Sequence, residues 1–506
     1  MKIIKEVTKN DLLEFLYDLP IEDKKLYEEM NNKDSLGIFQ MNGGTAQKMV
    51  DLIQPSDFTE LTAVNSFARP GTSDFAPQYV KNRKSKSSPY PKQVAALLQE
   101  TNSIILYQEQ VMEIFHKIGG FTLAETDEVR GLMKKLSKAE KKQEDLDRWD
   151  EVIERFEKNA IDKGIQKSNA KNLANDMLKM SSYSFNKSHA TAYTYIAAMT
   201  LYLSVYFRKY FYSSVLAYEV DRDKYLLDRL KSIKRRGFII SPPNINKSKK
   251  HISPLNDNEI IFGLNEIKYV GEKPSEIIIA NRPYDSLIDF IIKTRDRTVN
   301  IRLIKALIST GAFDEIEKER GRKRLLKIVE AFWEKKKSIK VEEKLKALYD
   351  QVASTIDSMP GLSTSSTDLR NYEKEYFGFI FFTSVFQGEF LDALYKMKAK
   401  GMVKLSFDEI SHASIKIPVL INDLREITDR NNNEMAFAEI EDPDGNVVSI
   451  PIFASFYKFL KQELESGKVH LMNLYRNSED QIMFGTSRFI KNGAVIERMV
   501  KRLDNV

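Results

Sequence analysis

The chain has no cysteine, and in 506 residues only five histidines and two tryptophans. Without cysteine there can be no disulfide, no thiolate nucleophile and no cysteine-ligated zinc. The histidines stand apart at positions 116, 189, 251, 412 and 470, which argues against a histidine-rich metal site. No apolar run is long enough to span a bilayer, and Met1-Lys2-Ile3-Ile4-Lys5-Glu6 lacks the apolar core of a secretion signal. A cytoplasmic protein without membrane contact is the expectation. Acid is missing locally too, although Asp and Glu number 72 against 78 Lys and Arg. Lys81, Arg83, Lys84, Lys86 and Lys92 fall between Asp74 and Glu100 with no acid among them. Eight more cations, Arg229 to Lys250, fall between Asp228 and Asp257 in the same way. Such runs are often plain solvated faces, but two of them interleaved with Tyr79, Tyr90 and Phe238 favour a polyanion partner.

What is present is the composition of a folded globular protein, 42% hydrophobic and 30% charged. The length exceeds what one hydrophobic core supports, so about three domains are expected. The stretch around which the rest is organised is Ser184-Phe185-Asn186-Lys187-Ser188-His189-Ala190, followed by a long apolar and aromatic helical run to Phe211. Lys187 offers a point charge, Asn186 and Ser188 neutral donors, and His189 a donor that can gain charge. At a helix start these would join unpaired backbone N–H groups and suit a phosphate. The same residues also make an ordinary helix cap.

Other stretches read in the same direction. Ser66-Phe67-Ala68-Arg69-Pro70-Gly71 sets an arginine immediately before a forced turn. From Ile104 to Ile118 the pattern is helical and contains Tyr107-Gln108-Glu109-Gln110; Gly119-Gly120 ends it. A second helix from about Leu123 carries Arg130, Lys134, Lys135 and Lys138, with Arg130, Lys134 and Lys138 along one side. From about Ile415 the pattern turns to alternation, with strand, turn and strand around Asp442-Pro443-Asp444-Gly445, a helix near Phe456 and strands again from Val469. That succession suits a five-stranded OB-type barrel, with Phe437 and Phe453 expected in its core.

Leu36-Gly37-Ile38-Phe39-Gln40, Phe67-Ala68-Arg69-Pro70-Gly71, Tyr107-Gln108-Glu109-Gln110-Val111-Met112 and Phe185-Asn186-Lys187-Ser188-His189-Ala190 occur in this order. Together they resemble the successive signatures of the C-family replicative DNA polymerases, the bacterial DNA polymerase III alpha subunits. Ile261-Phe262-Gly263 through Val270-Gly271 resembles that family's helix-hairpin-helix segment, and Val299-Asn300 through Phe313-Asp314 continues it. The fold implied is mostly α with a small C-terminal β-barrel. Residues 1–34 would lead from palm to fingers, 35–225 form a helical fingers domain, and 226–320 a helix-hairpin-helix domain. Residues 321–405 would be a charged helical insert and linker, and 406–506 an OB-fold.

The resemblance also implies roles. Arg69, Arg130, Lys134, Lys135, Asn186, Lys187, Ser188 and His189 would bind the incoming deoxynucleoside triphosphate. Lys81, Arg83, Lys84, Lys86, Gly263, Lys268, Gly271 and Lys273 would bind DNA, as primed template, with single-stranded template a candidate ligand of the barrel. The family's basic helix reads Arg-Arg-Ala-Met-Gly-Lys-Lys, whereas here the second arginine is Gly131 and the glycine is Lys134. No convincing clamp-binding peptide is found near residue 351. Nor is there a counterpart of the palm motif whose aspartates hold Mg²⁺. The Asp-x-Asp pairs 145/147, 221/223 and 442/444 are read as solvent-facing charge. The expectation is therefore the fingers and DNA-binding part of a split polymerase, non-catalytic alone and completed by a palm-bearing half that holds the Mg²⁺. The alternative is a non-catalytic DNA-binding accessory protein or remnant.

Overall fold

The computed structural model describes residues 14, 18–32, 35–69, 71–136, 142–181, 185–218, 222–336, 339–384, 386, 388–485 and 491–492. Residues 1–13 of the lead, and Pro70, Lys138, Ser184 and Asp221 of the motifs above, lie outside the described residues. The chain divides into two compact units, Met1–Val215 and Leu216–Val506.

The first unit is helical. Helices α1 (Lys24–Asn32), α2 (Gly44–Ile53), α3 (Phe58–Phe67), α4 (Ala76–Ser85) and α5 (Lys92–Leu97) precede α6 (Gln108–Lys117) and α7 (Leu123–Leu136). Then come α8 (Gln143–Asp162), α9 (Lys167–Ser181), α10 (Lys187–Tyr206) and α11 (Arg208–Ala217). One core lies among α5 to α9, where Phe115 meets Phe121, Trp149 and Phe156 edge to face. Against the sequence expectation, the helix does not start at Ile104. Residues 104–107 run extended, because Tyr107 forms a parallel bridge with Phe185 and the helix begins only at Gln108.

Helix α10 is the axis of the other half of this unit. Its buried face is Ala190, Thr194, Ala197, Ala198, Leu201, Ser204 and Val205, a helical spacing built mostly of small side chains. Small residues let α3 approach closely enough for the Asn65 amide to donate to Thr194 Oγ1 at 3.3 Å. Gly37 packs against α11 at φ +75°, where an added Cβ would lie 2.6 Å from Val215 Cγ2. Only glycine fits that position on both counts.

The second unit starts with α12 (Arg222–Arg235) and a small sheet of β1 (Ile239–Ser241), β2 (Ser253–Pro254) and β3 (Glu259–Ile261) in the order β1-β3-β2. Helices α13 (Glu272–Ala280), α14 (Leu287–Lys293), α15 (Ile301–Ser309), α16 (Arg322–Lys335), α17 (Glu342–Asp357) and α18 (Ser366–Phe377) follow. One hydrophobic core runs through them from Ile245 to Tyr376 and includes Leu325, Phe332, Tyr349 and Val352 of α16 and α17. The cations Arg322, Lys323 and Arg324 are engaged within this body, at Asp314, Asp368 and the carbonyl of Ile356.

After α19 (Gly388–Ala399) comes an antiparallel sheet of β4 (Ile415–Thr428), β5 (Glu434–Glu441) and β6 (Val447–Ile452). Helix α20 (Ala454–Leu460) then leads to β7 (Val469–Arg476), β8 (Ile482–Phe484) and the short β9 (Lys491–Asn492). The order is β6-β5-β4-β7-β8, with β9 beside β7, and the end strands β6 and β8 approach each other, so the sheet is a nearly closed barrel. The strict alternation expected for β4 gives way to a buried run from Ile417 to Ile421. Alternate residues enter the barrel core, while Leu420 packs with Phe386, Leu394 and Met397 on the outer side.

Two expectations fail here. Phe437 and Phe453 are not in the barrel core: Ala436 and Ala438 are, so alternation turns Phe437 outward, and Phe453 is 48% exposed. Asp442 is not solvent-facing either. It is fully buried and accepts from the backbone N–H groups of Phe407 and Asn446, both at 2.8 Å. Burial pushes its carboxyl above the ordinary range, against the pull of these donors. The residue ties the β5–β6 turn to the segment before β4.

Candidate functional site

The two central motifs meet in backbone hydrogen bonds. Phe185 N–H donates to Leu106 O, and Gln108 N–H donates to Phe185 O, each at 3.0 Å. The start of α10 is thereby fastened beside the start of α6. Asn186 caps α10, its Oδ1 accepting from His189 N–H at 2.8 Å. Glu109 caps it a second time, accepting from Lys187 N–H and from the Asn186 amide, both at 2.9 Å. A carboxylate at a helix N-terminus is favoured by the unpaired N–H groups and the dipole. Beneath them the buried Gln110 accepts from the N–H groups of Leu106 and Tyr107 and donates to Thr101 Oγ1 at 2.8 Å. The Tyr-Gln-Glu-Gln stretch is thus the brace of the α10 N-terminus. Burial pushes the Tyr107 phenol up, so it stays a neutral hydrogen-bonding group.

Above this brace lies a run of cations and rings. The Arg69 guanidinium sits 3.7 Å over the Phe185 ring. Phe185 meets His189 at 5.3 Å, His189 meets Tyr193 at 4.2 Å, and Tyr193 meets Phe39 at 5.5 Å. All four motifs noted in this unit therefore converge: Phe39 from the first, Arg69 from the second, Tyr107 and Glu109 from the third, Lys187 and His189 from the fourth. Gly71, at φ +90°, and the bond from Thr72 Oγ1 to Ser66 O make the turn that presents Arg69.

Charge in the cluster is already partly compensated. Lys187 Nζ lies 2.7 Å and 2.9 Å from the two oxygens of Glu100, with both side chains partly exposed. Ser188 is exposed and lies in the first turn of α10. On α7, Arg130 binds Asp127 of its own helix at 2.8 Å and Lys135 reaches Asp145 of α8 at 3.4 Å. Lys134 is exposed, and Gly131 has open space where a side chain would stand. All three cations stand on α7, and Lys135 ties that helix to α8. Among the described residues no three His, Asp or Glu side chains converge as metal ligands. The acids at the cluster, Glu100 and Glu109, are committed to Lys187 and Asn186, so the donor set does not fit a Mg²⁺ cage.

Of the first basic run, Lys81, Lys84 and Lys86 are exposed. Arg83 instead pairs with Glu60 at 2.7 Å and donates to Ile53 O, pinning α4 to α3 and α2. In the second unit, Gly263 is a packing residue, since a Cβ there would lie 2.4 Å from Lys250 O. The hairpin proper runs from a single 3₁₀ turn (Leu264–Glu266) through Ile267–Gly271 into α13, which Gly271 caps in extended backbone with open space around it. Lys268 and Lys273 are exposed on either side. Asp296 caps the turn before α15, accepting from Thr298 N–H at 2.8 Å, and Arg302 of α15 lies 3.7 Å over the Tyr269 ring, so the two hairpin turns stand close together. Sequence reasoning assigns no role to Glu100, which carries no signal at all, or to Arg302, and it contains Tyr269 only as part of the hairpin segment. Glu109 is legible there only as part of the Tyr-Gln-Glu-Gln motif.

The fold is thus a helical unit followed in the chain by a mostly helical body with two tight turns and a small β-barrel. The family models agree: residues 1–160 match the bacterial DNA polymerase III alpha subunit finger domain, and residues 237–323 match the helix-hairpin-helix motif. The chain is a homologue of the C-terminal part of the bacterial DNA polymerase III alpha subunit. The alpha subunit of Aquifex aeolicus is 30% identical over 485 residues, which is 93% of this chain and 39% of that one. That of Borreliella burgdorferi is 29% identical over 471 residues, covering 89% and 40%. The Halalkalibacterium halodurans subunit is 27% identical over 512 residues, covering 96% and 44%. The chain thus spans about two fifths of the length of the curated relatives it matches.

Proposed function

We propose that this chain is the fingers and DNA-binding part of a split replicative DNA polymerase. It would bind primed template and incoming deoxynucleoside triphosphate and act with a separate polypeptide that carries the palm. The observation that carries this reading is the convergence of four separated motifs on the N-terminus of α10, where Arg69 and His189 both contact the Phe185 ring, His189 and Phe39 both contact Tyr193, and Lys187 stands in the same first turn. Cations there would offset charge on the β- and γ-phosphates, and the aromatic side chains would offer apolar contact to a base. Catalytic metal is assigned to the palm-bearing partner, and no metal-dependent step is assigned to this chain. Lys81, Lys84 and Lys86, with the hairpins and the outer face of the barrel, would hold the DNA. The domain reading is fingers over 35–225, helix-hairpin-helix over 226–320 and OB barrel over 406–506.

The second reading, a DNA-holding accessory protein without nucleotide chemistry, is favoured by one observation. Lys187, Arg130 and Lys135 all have acid partners and are not waiting for a phosphate. Primer extension separates the two. The chain is tested alone and mixed with a palm-bearing polypeptide from the same genome, on a primed template with Mg²⁺ and all four nucleotides. Extension only in the mixture supports the split polymerase. DNA binding without extension in either supports the accessory protein, and extension by the chain alone overturns both.

A further inference from the structure

The first hairpin turns through Tyr269, whose φ is +76°. A tyrosine in the left-handed region is unusual, because its Cβ crowds the backbone there and glycine would relieve the strain. Its ring nonetheless has two close neighbours. The Arg302 guanidinium, from the first turn of α15, lies 3.7 Å from the ring centroid. Tyr376 meets it edge to face at 6.2 Å, and Lys268 N–H donates to Tyr376 O at 2.9 Å, which fastens the turn from below.

The guanidinium over the ring also hydrogen-bonds the Tyr269 phenol, which draws the phenol's pKa down, and with five N–H donors it keeps others for a ligand. Among the described residues Arg302 makes no ion pair, and it is exposed. Lys268 Nζ is also near the ring, 5.4 Å from its centroid. Tyr269 and Lys268 line a cleft of about 780 Å³ together with Lys374, Glu375 and Phe379. An oriented guanidinium without an acid partner, a phenol O–H and an ammonium around one turn form a donor set for a phosphodiester.

We propose that Tyr269 is a positioning residue that stacks Arg302 into place so that the guanidinium grips a backbone phosphate of duplex DNA at the first hairpin. This rests on the DNA-holding part of the reading above and adds to it the side chains that do the holding. The strained backbone at Tyr269 is retained because glycine would leave Arg302 without its platform.

The test is binding of the full chain to a short fluorescein-labelled duplex, followed by anisotropy over a range of salt concentrations. Arg302→Gln should weaken binding about tenfold and lower the salt slope by about 0.9, the loss of one phosphate contact. Tyr269→Phe keeps the stack and should bind within about twofold of the native chain, counting only the lost hydroxyl. Tyr269→Asn, which tolerates a positive φ but has no ring, should lose roughly fivefold and take part of the salt slope with it. Thermal unfolding checks that each variant is folded. Native affinity and slope in Tyr269→Asn would overturn the proposal while leaving DNA binding intact. Equal losses on a single strand of the same length would overturn the duplex assignment. A native chain that binds no DNA would overturn the underlying reading and this contact with it.

Discussion

Lys187 Nζ and the Glu100 carboxylate lie within 2.9 Å of each other through both carboxylate oxygens, across 87 residues of sequence. The cation that sequence reasoning placed first for nucleotide binding is therefore held in a partly exposed ion pair. Such a pair is worth less than about 1 kcal/mol in water, so an incoming polyphosphate can displace Glu100 at small cost.

Glu100→Gln is accordingly expected to free the Lys187 amine and tighten nucleotide binding by up to about fivefold. Lys187→Ala should weaken it and slow extension in the mixture with a palm-bearing half. Titration of a fluorescent deoxynucleotide onto the chain with primed template and that half reads both. Identical affinities for the two variants would remove Lys187 from the nucleotide site.

Two glycines should respond in opposite directions. Gly37→Ala puts a Cβ 2.6 Å from Val215 Cγ2 at a φ of +75°, and a loss on the order of 2–4 kcal/mol is expected. Gly131→Ala fills open space in the middle of α7, and a gain of about 0.5–1 kcal/mol is expected. Denaturant unfolding followed by circular dichroism distinguishes them by sign.

On the barrel, Arg425, Phe437 and Pro451 are cross-strand neighbours on the outer face, with Arg425 5.8 Å from the Phe437 ring. Phe437→Ala and Phe453→Ala should each weaken binding of a single-stranded oligonucleotide by about 1–3 kcal/mol, the range for a lost stacking partner. Neither should cost the 3–5 kcal/mol or so of a core phenylalanine. Anisotropy and thermal unfolding on the same samples check both statements. A large stability loss without a binding change would return these rings to a structural role.

His470 supplies a pH dependence. It is fully buried on β7, and burial pushes its imidazole below the ordinary 6.5. Below that pH the unfolded chain takes up a proton that the folded chain refuses, so stability falls as pH drops from 6.5 toward the lower folded value. It is unaffected by this group above that window. Hydrogen exchange of β7 at pH 7 and pH 5 should show the loss in the native chain and a smaller one in His470→Leu.

The amino-acid sequence alone determined the features that arise from local chemistry and period. It excluded thiol and disulfide chemistry, marked Asn186 as a helix start and Gly71 as a turn, and placed β structure from Ile415 onward. Those features depend on backbone geometry and on residues within a few positions of one another. The tertiary structure decided the pairings. Glu100 on Lys187, Arg302 on Tyr269 and Arg83 on Glu60 join residues 87, 33 and 23 positions apart, and their charges look the same in sequence whether paired or free. It also decided that Phe437 faces outward and Asp442 inward. The facing of a strand is set by which elements pack on it, and only the assembled barrel, with Ala436 and Ala438 in its core, shows which side that is.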